Sequence, residues 1–155
     1  MRCFVKYWVP VVCWLVVIFI GSSDLMSAEH TSRFVEPFLR WLNPDISPAA
    51  LNTIQLGIRK LGHLAEYGVL AILLWRGIRS GMKVHATMFV LLVAVWIACA
   101  IFAAIDEFHQ SFIASRTASL NDLLTDSLGA AIGLAICLAI ARWDAKKLDG
   151  STGKS

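Results

Sequence analysis

The sequence predicts an all-α fold, an integral membrane four-helix bundle whose extracytoplasmic loop contains a short interfacial helix. Three observations predict it. Hydrophobic residues make up 57% of the 155-residue chain, above the roughly 45–50% of soluble domains. Charged residues are only 16% and fall between long apolar runs. Four of those runs are long enough, at ~1.5 Å per residue, to cross a hydrocarbon core of ~30 Å. The length fits one domain, with the membrane unit over residues 1–145 and a polar cytoplasmic tail over 146–155. The net charge of +3 comes with no basic stripe interleaved with aromatics, so nucleic acid is not an expected partner. The lipid bilayer is.

The first span covers about residues 5–21. Arg2 and Lys6 precede the apolar run from Tyr7 to Ile20, which Gly21-Ser22-Ser23 closes. A basic start and apolar core also describe a signal peptide, but no good small-x-small cleavage site follows. An uncleaved transmembrane helix is the better reading, with Trp8 and Trp14 as lipid or helix contacts. Residues 22–54 are the longest polar connection. There Phe34, Val35, Phe38, Trp41 and Leu42 form a helical stripe among Arg33, Glu36 and Arg40, which predicts a helix lying on the membrane surface. Pro37 requires that this helix start or kink there. Asn43-Pro44-Asp45 makes a turn.

Ser47-Pro48 reads as an N-cap followed by proline in the first helical position. The helix it opens runs to Trp75, with the span at about 57–75. Its apolar part contains Arg59, Lys60, His63, Glu66 and Tyr67. Lys60, His63 and Tyr67 fall within about 60° of one another, with Glu66 beside His63. One polar face on an otherwise apolar helix looks into a protein interior. Arg76 to Lys83 is a basic loop, and the cleanest apolar span, about 84–105, ends at Asp106. Glu107, His109, Gln110 and Arg116 follow within a few residues. The last span, about 120–141, opens with capping-box spacing at Ser119 and Asp122. Asp122, Asp126, Gly129 and Gly133 share a face, and the glycine pair permits close helix packing. Arg142 to Ser155 is a polar tail, expected to be disordered at its Gly/Ser end.

Lys and Arg set orientation. The N-terminus, the Arg76–Lys83 loop and the tail hold nine of them, and the opposite side holds five, Arg33, Arg40, Arg59, Lys60 and Arg116. Both termini are therefore expected in the cytoplasm, which turns the polar residues of three helices toward the outer half of the membrane. Ionisable groups inside a membrane are costly and mark a functional site by default. The candidate site is thus Lys60, His63, Glu66, Tyr67, Asp106, Glu107, His109, Gln110, Arg116, Asp122 and Asp126. Cys3, Cys13, Cys99 and Cys137 lie at or in apolar segments with no C-x-x-C spacing, which speaks against disulfides or zinc. No metal-ligand spacing and no cofactor motif stands out.

Two pieces of this cluster resemble the VanZ-like family. One is Lys60-x-x-His63-x-x-Glu66-Tyr67-x-x-Leu70. The other is Asp106-Glu107-x-His109-Gln110-x-Phe112, followed by Arg116, Asp122 and the Gly129/Gly133 pair. The resemblance covers about residues 8–141. Ala114-Ser115-Arg116 departs from the Pro-Gly-Arg common in the family, and Asp126 stands where Asn is common. The resemblance implies a small multi-pass protein of the bacterial inner membrane; the family's namesake is associated with resistance to the glycopeptide teicoplanin.

Three functions fit the residues. In the first, the cluster binds an envelope lipid, a lipid-linked precursor or another amphiphile, with Arg59, Lys60 and Arg116 meeting phosphate or carboxylate. In the second, His63 and His109 serve as acid or base in a membrane-embedded hydrolase or transferase, helped by Asp106, Glu107 or Glu66. Ser115-Arg116 echoes a lipid-phosphatase motif, but Asp122 stands where that motif needs its histidine. In the third, the charges only neutralise one another and hold the helices together. The residues do not disclose an oligomeric state.

Overall fold

The computed structural model describes residues 2–23, 28–81, 87–112 and 119–152, all of them in helices or short turns. The helices are α1 (Arg2–Gly21), α2 (Ala28–Leu42), α3 (Pro48–Gly81), α4 (Met88–Gln110) and α5 (Leu120–Thr152). The expected local signals operate. Ser47 Oγ accepts from Ala50 N at 3.2 Å and Pro48 opens α3. Asn43 Oδ1 accepts from Asp45 N, and Asn43 O from Ile46 N, which makes the turn between α2 and α3. Thr87 caps α4. Pro37 sits inside α2.

Three helices are long and apolar enough to cross a membrane: α1 from Phe4, the whole of α4, and α5 as far as Lys147. Only 11% of the α1 span and 17% of the α4 span is buried in the bundle. Side chains such as Val12, Phe19, Phe89, Ile101 and Ile140 therefore stand exposed, as lipid-facing residues do and as water-facing ones do not. The chain is a membrane protein.

The charged face of α3 keeps it below the apolarity of the other three, yet contacts fix its place as the fourth helix of the bundle. Arg59 pairs with Asp122 and His63 with Asp126, one turn apart on each helix, so α3 and α5 run parallel. Trp8 lies over Gly77 while Trp14 reaches Glu66, so α1 runs antiparallel to α3. Trp96 donates to the Ser127 carbonyl and Glu107 meets Ser119, so α4 runs antiparallel to α5. Direction thus alternates along α1, α3, α4 and α5. Tyr67, Leu70, Ala71 and Leu74 of α3 form the centre of the core, with Val95, Cys99 and Ala103 from α4 and Ala130 and Leu134 from α5.

Glycine sets the spacing between α3 and α5. A methyl group built on Gly129 would collide with the Leu64 carbonyl oxygen, and one on Gly133 with that of Gly68. The predicted glycine pair therefore packs against the α3 backbone itself, where a side chain has no room.

Three boundaries differ from expectation. Asp106 does not close its helix; α4 continues to Gln110, because Gln110 Nε2 donates to Asp106 Oδ2 one turn back and holds that turn. The expected basic loop is helical through Gly81, and α5 carries past Ala141 to Thr152; the last residues of the expected tail, 153–155, lie outside the described residues. The α5 extension carries Arg142, Ala145, Lys146, Lys147 and Leu148, which favour helix once one is nucleated.

Candidate functional site

The polar residues gather where α1 and α4 end and α5 begins, around the middle of α3. They form two groups. The first lies between α3 and α5. Arg59 Nη2 is 2.9 Å from Asp122 Oδ2, and His63 Nδ1 is 3.0 Å from Asp126 Oδ1. Asp126 is fully buried, and its Oδ2 has no partner among the described residues. Lys60, expected in this face, has an exposed side chain. It lies two turns, ~10 Å, along α3 from Tyr67, and Arg59 takes the inward position four residues before His63.

The second group joins α1 to α4. Ser22 Oγ donates to Asp106 Oδ2 at 2.6 Å, and Gln110 Nε2 donates to the same oxygen at 2.9 Å. Ser22 ends α1 and is buried. In the sequence it reads only as a helix end; its signal is a hydroxyl at the same depth as Asp106. Glu107 Oε2 accepts from Ser119 N at 2.7 Å. Ser119 caps α5 through its own Oγ, which accepts from Asn121 N. The expected capping box is thus half formed, because Asp122 is drawn to Arg59 and Glu107 takes its place on the Ser119 amide. Glu66 accepts the Trp14 indole N–H on its carbonyl, and its carboxylate approaches Gly21.

Tyr67 stands between the groups, within the fields of Asp106, Asp126 and Glu66. It is 1% exposed and its hydroxyl has no partner. The Gln110 Oε1, Glu107 Oε1 and His109 Nδ1 atoms are also buried without a partner among the described residues. His109 stacks at 4.6 Å on Phe19 of α1. Arg116 lies outside the described residues, as do Ala114 and Ser115.

A crevice of about 190 Å³ opens beside this second group. Leu15, Ile18 and Phe19 of α1 and Phe102 and Ile105 of α4 form its apolar walls; Tyr67, Asp106 and His109 form its polar end. Phe19 and Ile105 are more than half exposed, so the crevice opens sideways onto the apolar surface of the bundle. Another groove, about 300 Å³, lies between α4 and α5, and its lining from Leu92 to Leu138 carries no ionisable side chain. Among the described residues no group of three or more His, Cys, Asp and Glu is disposed to hold a metal.

The model of the VanZ/LLP1 family matches residues 7–142, a stretch that contains every residue of both groups. The chain belongs to the VanZ/LLP1 family. No curated protein and no solved structure matches it significantly. The family membership agrees with the apolar bundle. Of the two motif pieces named from the sequence, Lys60 to Leu70 lies on α3 and Asp106 to Phe112 on and just after α4, and Tyr67, Asp106 and His109 line one crevice.

Proposed function

We propose that this VanZ/LLP1 family member binds an amphiphile in the crevice between α1, α3 and α4. The amphiphile is an envelope lipid, a lipid-linked precursor or a lipid-bearing antibiotic of the glycopeptide kind. The observation that supports this reading is an apolar crevice, open to the lipid-facing surface, that ends on buried polar atoms without partners. Burying such atoms unpaired costs about 1–3 kcal/mol each, which a polar head group would offset. The volume is below the ~300–1,000 Å³ of sites that enclose a ligand. It suits a head group and the start of a chain, with the rest of the chain left in the bilayer.

We read the membrane as the bacterial cytoplasmic membrane with both termini inside, which puts the crevice at the outer leaflet. His63 and Asp126, the best acid–base pair in the cluster, do not line the crevice. That favours binding over hydrolysis or group transfer. Arg59–Asp122 and His63–Asp126, both paired across α3 and α5, fit the stabilising role instead.

Photo-crosslinking tests the site. Protein in bacterial-lipid nanodiscs is irradiated with an amphiphile carrying a diazirine close to its head group, and the labelled peptides are mapped. Labelling should concentrate on residues 15–19 and 102–109 and fall at least several-fold in Ile105→Trp, which fills the crevice. Even labelling of all lipid-facing helices, unchanged by Ile105→Trp, would sink the proposal.

A further inference from the structure

We infer that the head group held in the crevice is a primary amine, carried as an ammonium. This deepens the amphiphile-binding reading and rests on it. Among the described residues, the polar end of the crevice presents one carboxylate, Asp106, and no Lys or Arg. Among the described residues no Lys, Arg or His lies within ion-pair distance of Asp106. Its charge is met only by Ser22 and Gln110, which both donate to the one oxygen, Oδ2. Of the basic residues expected at the site, Arg59 is held by Asp122 and the Lys60 side chain is exposed, while Arg116 lies outside the described residues.

Two further atoms at this end lack partners, Tyr67 Oη and His109 Nδ1. Tyr67 is almost wholly buried yet lines the crevice, and among the described residues nothing bonds its hydroxyl. An alkylammonium has three N–H donors and no acceptor. Asp106, Tyr67 and His109 can supply three acceptors, one of them charged. A phosphate head group is the opposite case, for it would bring negative charge against an unpaired carboxylate in an apolar setting, where like charges repel most strongly. The wall beside His109 is the Phe19 ring, and an aromatic face is compatible with a cation.

The test uses three probes of equal chain length: octylammonium, octyl phosphate and octanol. Binding to the full-length protein in phosphatidylcholine nanodiscs is measured by calorimetry, with empty nanodiscs as the blank. Octylammonium should bind saturably and at least ten-fold more tightly than the other two. Asp106→Asn should lose that preference at least ten-fold while still accepting hydrogen bonds from Ser22 and Gln110. Tyr67→Phe, which touches neither of those bonds, should lose several-fold and carries the test if Asp106→Asn does not fold. Octyl phosphate binding as tightly as octylammonium, or a preference that survives in folded Asp106→Asn, overturns the amine assignment and leaves the amphiphile reading standing. No saturable binding of any probe above the blank overturns the crevice reading itself. Adding phosphatidylethanolamine to the nanodiscs then names the source. Weaker octylammonium binding points to a lipid amine, and unchanged binding to a free amphiphilic amine; both support an amine site.

Discussion

At the scale of single residues, His63 and Asp126 form a buried pair 3.0 Å apart. Asp126 has no exposed surface, and one of its oxygens depends on His63 Nδ1. Removing one member of a buried pair strands the other, at ~3–5 kcal/mol, whereas replacing both with apolar groups of similar size is often close to neutral. His63→Leu and Asp126→Leu should therefore each destabilise by a few kcal/mol. The double substitution should recover most of that loss, seen as a coupling energy in a double-mutant cycle on reversible unfolding in detergent. Asp126→Asn should cost less than Asp126→Leu because the amide still hydrogen-bonds to the imidazole. Single variants within ~0.5 kcal/mol of the parent would show that the pair is not a determinant of stability.

At the scale of elements, the α3–α5 contact depends on two glycines that leave room for the α3 backbone. Gly129→Ala and Gly133→Ala each drive a methyl into an α3 carbonyl, and relieving such overpacking typically costs ~1–3 kcal/mol. Gly62→Ala meets nothing within 4 Å and should be neutral or stabilising by up to ~1 kcal/mol, since alanine is the better helix former. The measurement is the unfolding free energy of the three variants side by side; equal effects at all three positions would contradict the packing account. The glycine pair was legible in the sequence, because spacing four apart is a one-dimensional signal. Its partner was not, because any small-residue face on another helix could have served. For the same reason Lys60 and Arg59 were both plausible inward cations, and only the packing of α5 beside α3 selects Arg59. Helix identity was the easy part, since apolar periodicity and the caps at Ser47 and Ser119 are local. The exchange of Asp122 for Glu107 on the Ser119 amide needed three elements together and could not be read from either helix alone.

At the scale of the whole molecule, helix direction decides which face of the membrane the crevice serves. The alternating run of α1, α3, α4 and α5 brings the end of α1 and the end of α4 together, with Ser22 on Asp106. Whatever side that end faces, the N-terminus and the far end of α5 lie on the other. We propose that this other side, with nine Lys and Arg residues against five, is the cytoplasm. Two labels test this. A fluorescent protein fused after Ser155 should fold and fluoresce, and alkaline phosphatase at the same point should stay inactive. Ser32→Cys, in a background where Cys3, Cys13, Cys99 and Cys137 are replaced, should react with an impermeant maleimide in intact spheroplasts. Ser32 is on α2, next to the exposed Phe34, Phe38 and Trp41 stripe, so its labelling also places that amphipathic helix on the outer side. Active phosphatase with a silent Ser32→Cys would invert the bundle. The crevice would then draw on the inner leaflet, and an envelope precursor or external antibiotic would cease to be a candidate ligand. The acceptor-rich chemistry at Asp106, Tyr67 and His109 would be unchanged, because it depends on the packing of α1, α3 and α4 and not on which side they face.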